Sequence, residues 1–313
     1  MTPRDQLDIP RLRILDGGLA TELEHLGAKI DGPLWSAHVL DDQPALISTV
    51  HRAYIEAGAD CILTASYQVS RIGYAELGLD PARADRALQL SVELARAARR
   101  AHSRKPLLIA ASLGPYGAAL HNGAEYTGNY SCTFADLVRF HRERIAILAA
   151  TEVDLLAFET LPSLFEARAI AEALADYPNL AIWLSFTCRN EREIAHGETV
   201  EEAAALAESL PQAIAVGLNC TAPSLVTGIL RRMRSATTKP LIAYPNSGEA
   251  WDATTRSWTG TSDPRSFGQA AREWYAAGAQ MVGGCCRTRP AHIREVAASL
   301  PQLPLQTERK TRP

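Results

Sequence analysis

Residues 279–290 read Ala279-Gln280-Met281-Val282-Gly283-Gly284-Cys285-Cys286-Arg287-Thr288-Arg289-Pro290, and this order decides the fold. The apolar run has the length of a buried strand, two glycines and two thiols follow it, and Thr288-Arg289-Pro290 signals a helix start. Adjacent cysteines cannot close an ordinary disulfide with each other without strain, and the glycines let the backbone turn sharply enough to aim both sulfurs one way. A third thiol has the same setting: Cys220 ends the run Ala213-Ile214-Ala215-Val216-Gly217-Leu218 and precedes Thr221-Ala222-Pro223. Three thiolates with one open position make a donor set for a soft or borderline metal, zinc first among them. Cys220 lies too far from the pair for a zinc finger. Only a fold that gathers the ends of separate strands assembles the site.

Working outward, short apolar runs fall near 12–16, 60–65, 107–112, 153–158, 180–186, 213–218, 240–244 and 279–283. Stripes at helical spacing lie between them, at 43–57, 81–102, 134–150, 163–175, 199–209, 223–235, 264–277 and 290–299. Asp80-Pro81 and Asp263-Pro264 read as helix starts, and Gly58 and Gly278 as C-terminal caps. Eight strand–helix units imply parallel strands with right-handed crossovers, which close most economically as a (β/α)8 TIM barrel of the α/β class. An open doubly wound sheet is the alternative. It calls for a phosphate fingerprint after the first strand, and Asp16-Gly17-Gly18-Leu19-Ala20 lacks the third glycine. The longest connections, 113–132 and 245–262, follow strands, so they emerge on the face where barrel enzymes work.

The 313 residues are 47% apolar and 21% charged, with no Pro/Gly/Ser-rich divider, so a single domain over 1–303 is expected, with a polar, disordered tail at 304–313. Thirty-two Lys and Arg against 35 Asp and Glu give a net charge of -3 without a basic stripe, which argues against nucleic acid and anionic membrane as partners. Met1-Thr2-Pro3-Arg4-Asp5-Gln6 lacks a secretory pattern, and no apolar stretch is long enough to span a bilayer. A cytoplasmic location is expected. Six cysteines are too few for a disulfide framework and stay available as thiols.

The C-terminal ends of the expected strands carry Asp16, Thr64 with Tyr67-Gln68, Ser112 with Gly114, Glu159, Thr187, Asn219-Cys220, Tyr244 with Asn246, and Cys285-Cys286. Any one of these has an ordinary use as a cap, a packed β-branched residue or a turn, but a packed barrel has no structural need for the whole ring. Asp16 and Glu159 are its only carboxylates, and no Arg or Lys stands at a strand end before Arg189 and Arg287. A ligand ammonium is the partner they imply, with Asn219 and the backbone of Gly17 and Gly18 placed to receive a carboxylate. Together they describe an amino-acid site. Cys61, Cys132 and Cys188 read as small buried hydrophobes, and His292 as a helix-capping residue. His38, His51 and His141 have no partner at ligand spacing.

Leu15-Asp16-Gly17-Gly18-Leu19-Ala20-Thr21-Glu22-Leu23, Pro33-Leu34-Trp35-Ser36-Ala37, Ala57-Gly58-Ala59-Asp60, Thr64-Ala65-Ser66-Tyr67-Gln68, Gly114-Pro115-Tyr116-Gly117-Ala118, Phe158-Glu159-Thr160, Gly217-Leu218-Asn219-Cys220 and Gly283-Gly284-Cys285-Cys286 span nearly the whole chain. In these segments the sequence resembles the homocysteine S-methyltransferases, and within them the members that use S-methylmethionine or S-adenosylmethionine without a further cofactor. The resemblance implies a (β/α)8 barrel with one Zn2+ per chain on Cys220, Cys285 and Cys286. It implies that Glu159 binds the homocysteine amine, with Asp16, Gly17, Gly18, Thr64 and Asn219 around the amino acid. Aromatic faces suit the sulfonium donor, and Trp35, Tyr67, Tyr116 and Trp251 are the candidates. The expected partners are thus small molecules, homocysteine and a sulfonium methyl donor, and the expected assembly is a monomer or small homo-oligomer. A betaine-dependent methyltransferase is the alternative enzyme. A zinc-binding or redox-sensing thiol protein is the alternative outside enzymes, and it leaves Asp16, Glu159 and Asn219 without a role.

Overall fold

A computed structural model describes residues 7, 13–30, 34–103, 105–252 and 257–300, apart from the side chains of Trp35, 250–252, 257 and 258. The expected tail at 304–313 lies outside them. Among the described residues the strands are β1 (Cys61–Leu63), β2 (Leu108–Leu113), β3 (Leu155–Leu161), β4 (Ile182–Phe186), β5 (Ala213–Asn219), β6 (Leu241–Tyr244), β7 (Ala250–Asp252), β8 (Ser257–Thr259) and β9 (Ala279–Val282). Seven of them pair in parallel in the order β1-β2-β3-β4-β5-β6-β9, and β7-β8 form a separate antiparallel hairpin inside the long connection after β6. Each parallel pair is joined through a helix, as the alternating sequence pattern requires.

The strand expected at 12–16 is reduced to two single bridges, Ile14 to Val282 and Leu15 to Cys61. Leu15 N–H donates to Val282 O at 2.9 Å and Asp16 N–H to Cys61 O at 3.1 Å, so this short segment touches β9 and β1, the two edges of the curled sheet. It does not lengthen because the Asp60 carboxylate takes the N–H groups of Arg13 and Ile14, at 3.2 and 3.0 Å, away from any ladder.

Helices fill the expected intervals, among them Pro44–Ala57, Ala82–His102, Phe134–Ala149, Leu164–Ala173, Pro264–Ala276 and Pro290–Ser299. Asp263 caps its helix through the N–H groups of Arg265 and Ser266, Asp80 accepts from Ala82 N–H, and Gly58 and Gly278 end helices at φ of 108° and 111°. Four short helices, Leu19–His25, His38–Asp42, Arg71–Glu76 and Tyr116–Ala119, occupy stretches expected as loops.

Two apolar layers result from strand alternation. Leu156, Phe158, Leu184, Val216, Leu218 and Ala243 face the helices, while Leu155, Ala157, Trp183, Ala215, Ile242 and Met281 face the concave side. Trp183 fills the space that the inner alanines leave, and its indole N–H donates to Tyr244 Oη at 3.2 Å. The inner register climbs from Leu155 and Ala157 to Glu159, from Ala215 and Gly217 to Asn219, and from Met281 and Gly283 to Cys285. Alternation therefore starts those three side chains toward one end of the sheet.

Candidate active site

The three thiols converge. Cys220 Sγ lies 2.6 Å from Cys285 Sγ and 3.8 Å from Cys286 Sγ, and all three sulfurs fall within 4.8 Å of one another. All six cysteines are free. A tetrahedral zinc with Zn–S bonds of about 2.3 Å needs sulfurs about 3.8 Å apart. The Cys220–Cys286 edge already has that length, and the Cys220–Cys285 edge must open by about 1 Å. The donor set suits a soft or borderline ion.

Backbone strain holds the thiols in place. Cys220 and Arg287 have φ of 48° and 66°, in the left-handed region that non-glycine residues avoid. Thr187 Oγ1 donates to Cys220 O, and Arg287 N–H donates to Thr21 Oγ1 at 3.0 Å. The two glycines before the pair work differently from the expected sharp turn, because neither has positive φ. A Cβ on Gly284 would stand 2.3 Å from Thr288 Oγ1, and one on Gly283 would stand 2.6 Å from Leu15 Cβ. They bring the thiol segment against the Asp16 loop, and Gly18 does the same from the other side, 2.6 Å from Cys285 O at its missing Cβ. Thr288 Oγ1 accepts from Gly18 N–H, and Tyr54 Oη donates to Gly18 O and Thr288 O.

The three crowded thiols perturb one another. Hydrogen bonds from Cys220 and Cys285 hold the Cys286 thiol well below its usual range. The bonds with its two neighbours, followed by burial, push Cys220 up, and Cys285 rises because Cys286 and burial outweigh its bond with Cys220. A cation is what relieves a buried cluster of this kind.

Glu159 and Asp16 stand beside Cys285 with only 7% and 3% of their surface exposed. Leu63 N–H donates to Asp16 Oδ2 at 2.8 Å, whereas Asp16 Oδ1 and Glu159 Oε1 meet no partner among the described residues. Burial, and then the nearby Cys285, hold the Glu159 carboxyl above its usual range; burial dominates for Asp16 as well. The cations expected nearest are committed elsewhere, Arg189 to Glu193 and Arg287 to Glu249. Glu159 is aimed by an irregularity in β3, where the register with β4 shifts between Phe158 and Leu161 and Thr160 takes φ 56°.

Asn219 supports that kink. Its Oδ1 accepts from Thr160 N–H at 2.7 Å and Ser185 Oγ at 2.9 Å, while its amide nitrogen donates to Thr160 Oγ1 at 2.8 Å and faces Cys285 Sγ at 3.8 Å. The amide read from sequence as a substrate contact is thus engaged within the protein, with one N–H directed at a thiol. Thr64 Oγ1 shares a hydrogen with Ser66 and accepts from Ser112 N–H, which ties β1 to β2 under the site.

Tyr67 belongs to the site: burial, then Cys220 and Glu125, raise its phenol, and its ring covers Gly114, where a Cβ would lie 2.9 Å away. Tyr116 does not join it. Its ring packs in the helical layer against Tyr130 and Phe140, with centroids 5.5 and 5.2 Å away. The Trp35 and Trp251 side chains lie outside the described residues. The same connection after β2 also forms the short turn Ala124–Tyr126, which sequence reading did not anticipate. Tyr126 is 49% exposed. The glycines at 123 and 128, both at positive φ, were the available signal for this turn.

Strand ends that gather three thiols and two carboxylates with unpartnered oxygens define a parallel α/β protein with a metal-competent thiol centre. A family model described as homocysteine S-methyltransferase matches residues 13–300, and the chain belongs to that family of methyltransferases. It is 43% identical over 301 residues to Homocysteine S-methyltransferase of Escherichia coli (94% of this chain, 97% of the relative). To Homocysteine S-methyltransferase YbgG of Bacillus subtilis it is 42% identical over 301 residues (93% and 95%). The crystal structure of the E. coli homocysteine methyltransferase MmuM in its metallated form superposes with a TM-score of 0.83 at 41% identity, covering 94% of this chain and 97% of that one. Among the described residues no helix is long and apolar enough to cross a membrane.

Proposed function

We propose that the protein transfers a methyl group from a sulfonium donor, S-methylmethionine or S-adenosylmethionine, to the thiol of L-homocysteine, giving methionine. The observation that carries the reading is the pair of buried, unpartnered carboxylate oxygens, Glu159 Oε1 and Asp16 Oδ1, beside three convergent thiols. Cys220, Cys285 and Cys286 hold one zinc ion. When bound, zinc supplies the Lewis acidity that lets an added thiol lose its proton at neutral pH.

Glu159 and Asp16 bind the homocysteine ammonium, and the carboxylate faces the Gly17-Gly18 backbone. Thr64 and Asn219 keep this pocket in shape. With the amino acid fixed there, its sulfur points at the thiol cluster. A lone pair of that sulfur forms the new bond to the methyl carbon, the bond from methyl to sulfonium breaks, and its electrons stay on the leaving sulfur as a neutral thioether. No general acid is needed. Tyr67 covers the approach and excludes water from the sulfonium.

Membership of this family and the Ile14–Leu15 bridges to both sheet edges support a closed (β/α)8 barrel. The family match over 13–300 supports one catalytic domain spanning 1–303. Six free thiols suit a reducing cytoplasm. The test is Cys285→Ala with a donor panel of S-methylmethionine, S-adenosylmethionine and betaine. Parent protein is expected to hold one zinc per chain and make methionine from a sulfonium, and the variant to lose both. Stoichiometric zinc and full turnover in the variant would sink the reading.

A further inference from the structure

Two regions with different tasks meet at one hydroxyl. The loop Asp16-Gly17-Gly18 carries the Asp16 side chain, whereas the turn at 284–288 carries Cys285 and Cys286. Thr288 is fully buried between them. Its Oγ1 donates to Cys285 O at 2.7 Å and accepts from Gly18 N–H at 3.1 Å, so a single oxygen joins the two backbones. A hydrocarbon in its place would leave the Gly18 N–H without an acceptor in the interior.

Further contacts reinforce the joint. Gly284 N–H donates to Asp16 O at 3.0 Å, and the Tyr54 hydroxyl lies between Gly18 O and Thr288 O, at 3.1 and 3.2 Å. Space is closed to slippage as well. A Cβ on Gly17 would stand 2.9 Å from Thr288 Oγ1, one on Gly18 would stand 2.6 Å from Cys285 O, and one on Gly284 would stand 2.3 Å from Thr288 Oγ1. Backbones packed this closely shift together rather than separately.

We infer that Thr288 is a positioning residue for the transfer: its hydroxyl fixes the Asp16 loop on the Cys285 turn, so that an amino acid held by its ammonium meets the thiol centre at a defined reach, and occupation of one half is felt by the other. This rests on the methyl-transfer reading above. Thr288 acts through Gly18 and Cys285 rather than on a substrate. Asp16, the ammonium anchor, shares a loop with Gly18, and Cys285 is the residue whose carbonyl Thr288 holds. Loosening the joint leaves each half intact and lets their separation drift. That costs rate more than affinity, because a misplacement of about 1 Å costs up to about a hundred-fold in rate.

The experiment compares parent, Thr288→Val and Thr288→Ser proteins, each loaded with zinc for kinetics and with cobalt(II) for spectra. L-2-Aminobutyrate, which is homocysteine without its sulfur, fills the amino-acid half alone. In the parent, the cobalt–thiolate absorption is expected to shift as this probe saturates. In Thr288→Val the probe is expected to bind within about three-fold by calorimetric titration but to cause no shift, with kcat for methionine formation down about ten- to hundred-fold and KM for homocysteine changed less than about three-fold. Thr288→Ser keeps the oxygen and restores both the shift and the rate. Equal shifts in parent and Thr288→Val, no shift in the parent, unchanged kcat, or a Thr288→Ser protein that behaves like Thr288→Val overturns the proposal. So does a Thr288→Val protein that loses the metal or the probe, since the residue would then only support the fold. A hydroxyl-dependent shift in a parent that makes no methionine from any sulfonium sinks the methyl-transfer reading and leaves the joint standing; methionine made equally fast by all three proteins does the reverse.

Discussion

Glu159 illustrates how a side chain proposed to bind substrate can cost stability. Burial without a cation keeps its carboxyl protonated in the native chain above the usual 4.5, where the unfolded chain has already ionised. The native state is therefore favoured fully below pH 4.5 and loses that favour as pH rises through the higher native value. Glu159→Gln removes the penalty. Ligand-free variant is expected to melt above the parent at pH 7, by about 2–4 °C for each kcal/mol relieved, and to match it below pH 4.5. Its KM for homocysteine rises about ten- to hundred-fold, since a charged hydrogen bond is lost. A lower melting temperature at pH 7 would show that an unseen cation already pairs with Glu159. The thiols, Asp16 and Glu159 were legible in the sequence because strand ends can be counted and their polar residues stand out against apolar runs. The hydrogen bonds of Asn219 were not, because they depend on the left-handed Thr160 on β3, with β4 between, and no periodicity reveals a local kink.

At the scale of elements, the connection after β2 is the part that sequence reading handled least well. Its residues have no helical or strand period, and their placement is set by Glu166, which lies on a later helix, Leu164–Ala173. Glu166 also faces His141 Nε2 at 2.8 Å, and Arg144 donates to Gly114 O at 2.6 Å, so one buried network holds the connection near both ends. The network turns Tyr116 into the helical layer and fixes the course of the connection that carries Glu125 and Tyr126. Glu166→Ala leaves Tyr130, His141 and the Tyr116 N–H without their acceptor in the interior. The expected destabilisation is about 3–5 kcal/mol, with cleavage within 117–130 in limited proteolysis before any other site. Global unfolding without early cleavage there would show that the connection is held by its packing alone. The eight helices and most strands, by contrast, were readable because each carries its own periodicity and caps. The first strand shrank to two bridges because Asp60 competes for its donors, a long-range effect that no local pattern encodes.

For the whole molecule, buried His51 works against stability in acid. His51 is fully buried on the helix Pro44–Ala57, neither ring nitrogen meets a partner among the described residues, and burial lowers its pKa to about 4. The unfolded chain takes up that proton from pH 6.5 downward while the native chain refuses it, so stability falls with pH across that window, by about 3 kcal/mol from this group. His51→Leu is expected to flatten urea-unfolding stability between pH 6.5 and 4.5; an unchanged slope would assign the acid loss to other groups. The bridges of Ile14 and Leu15 have a consequence for the order of folding. Asp16 O is met by Gly284 N–H and its segment docks on β9, so two stretches far apart in the sequence close against each other. Contacts of such separation cost the most chain entropy and come late, so the Cys285–Cys286 segment reaches its place only as the two edges of the sheet are joined.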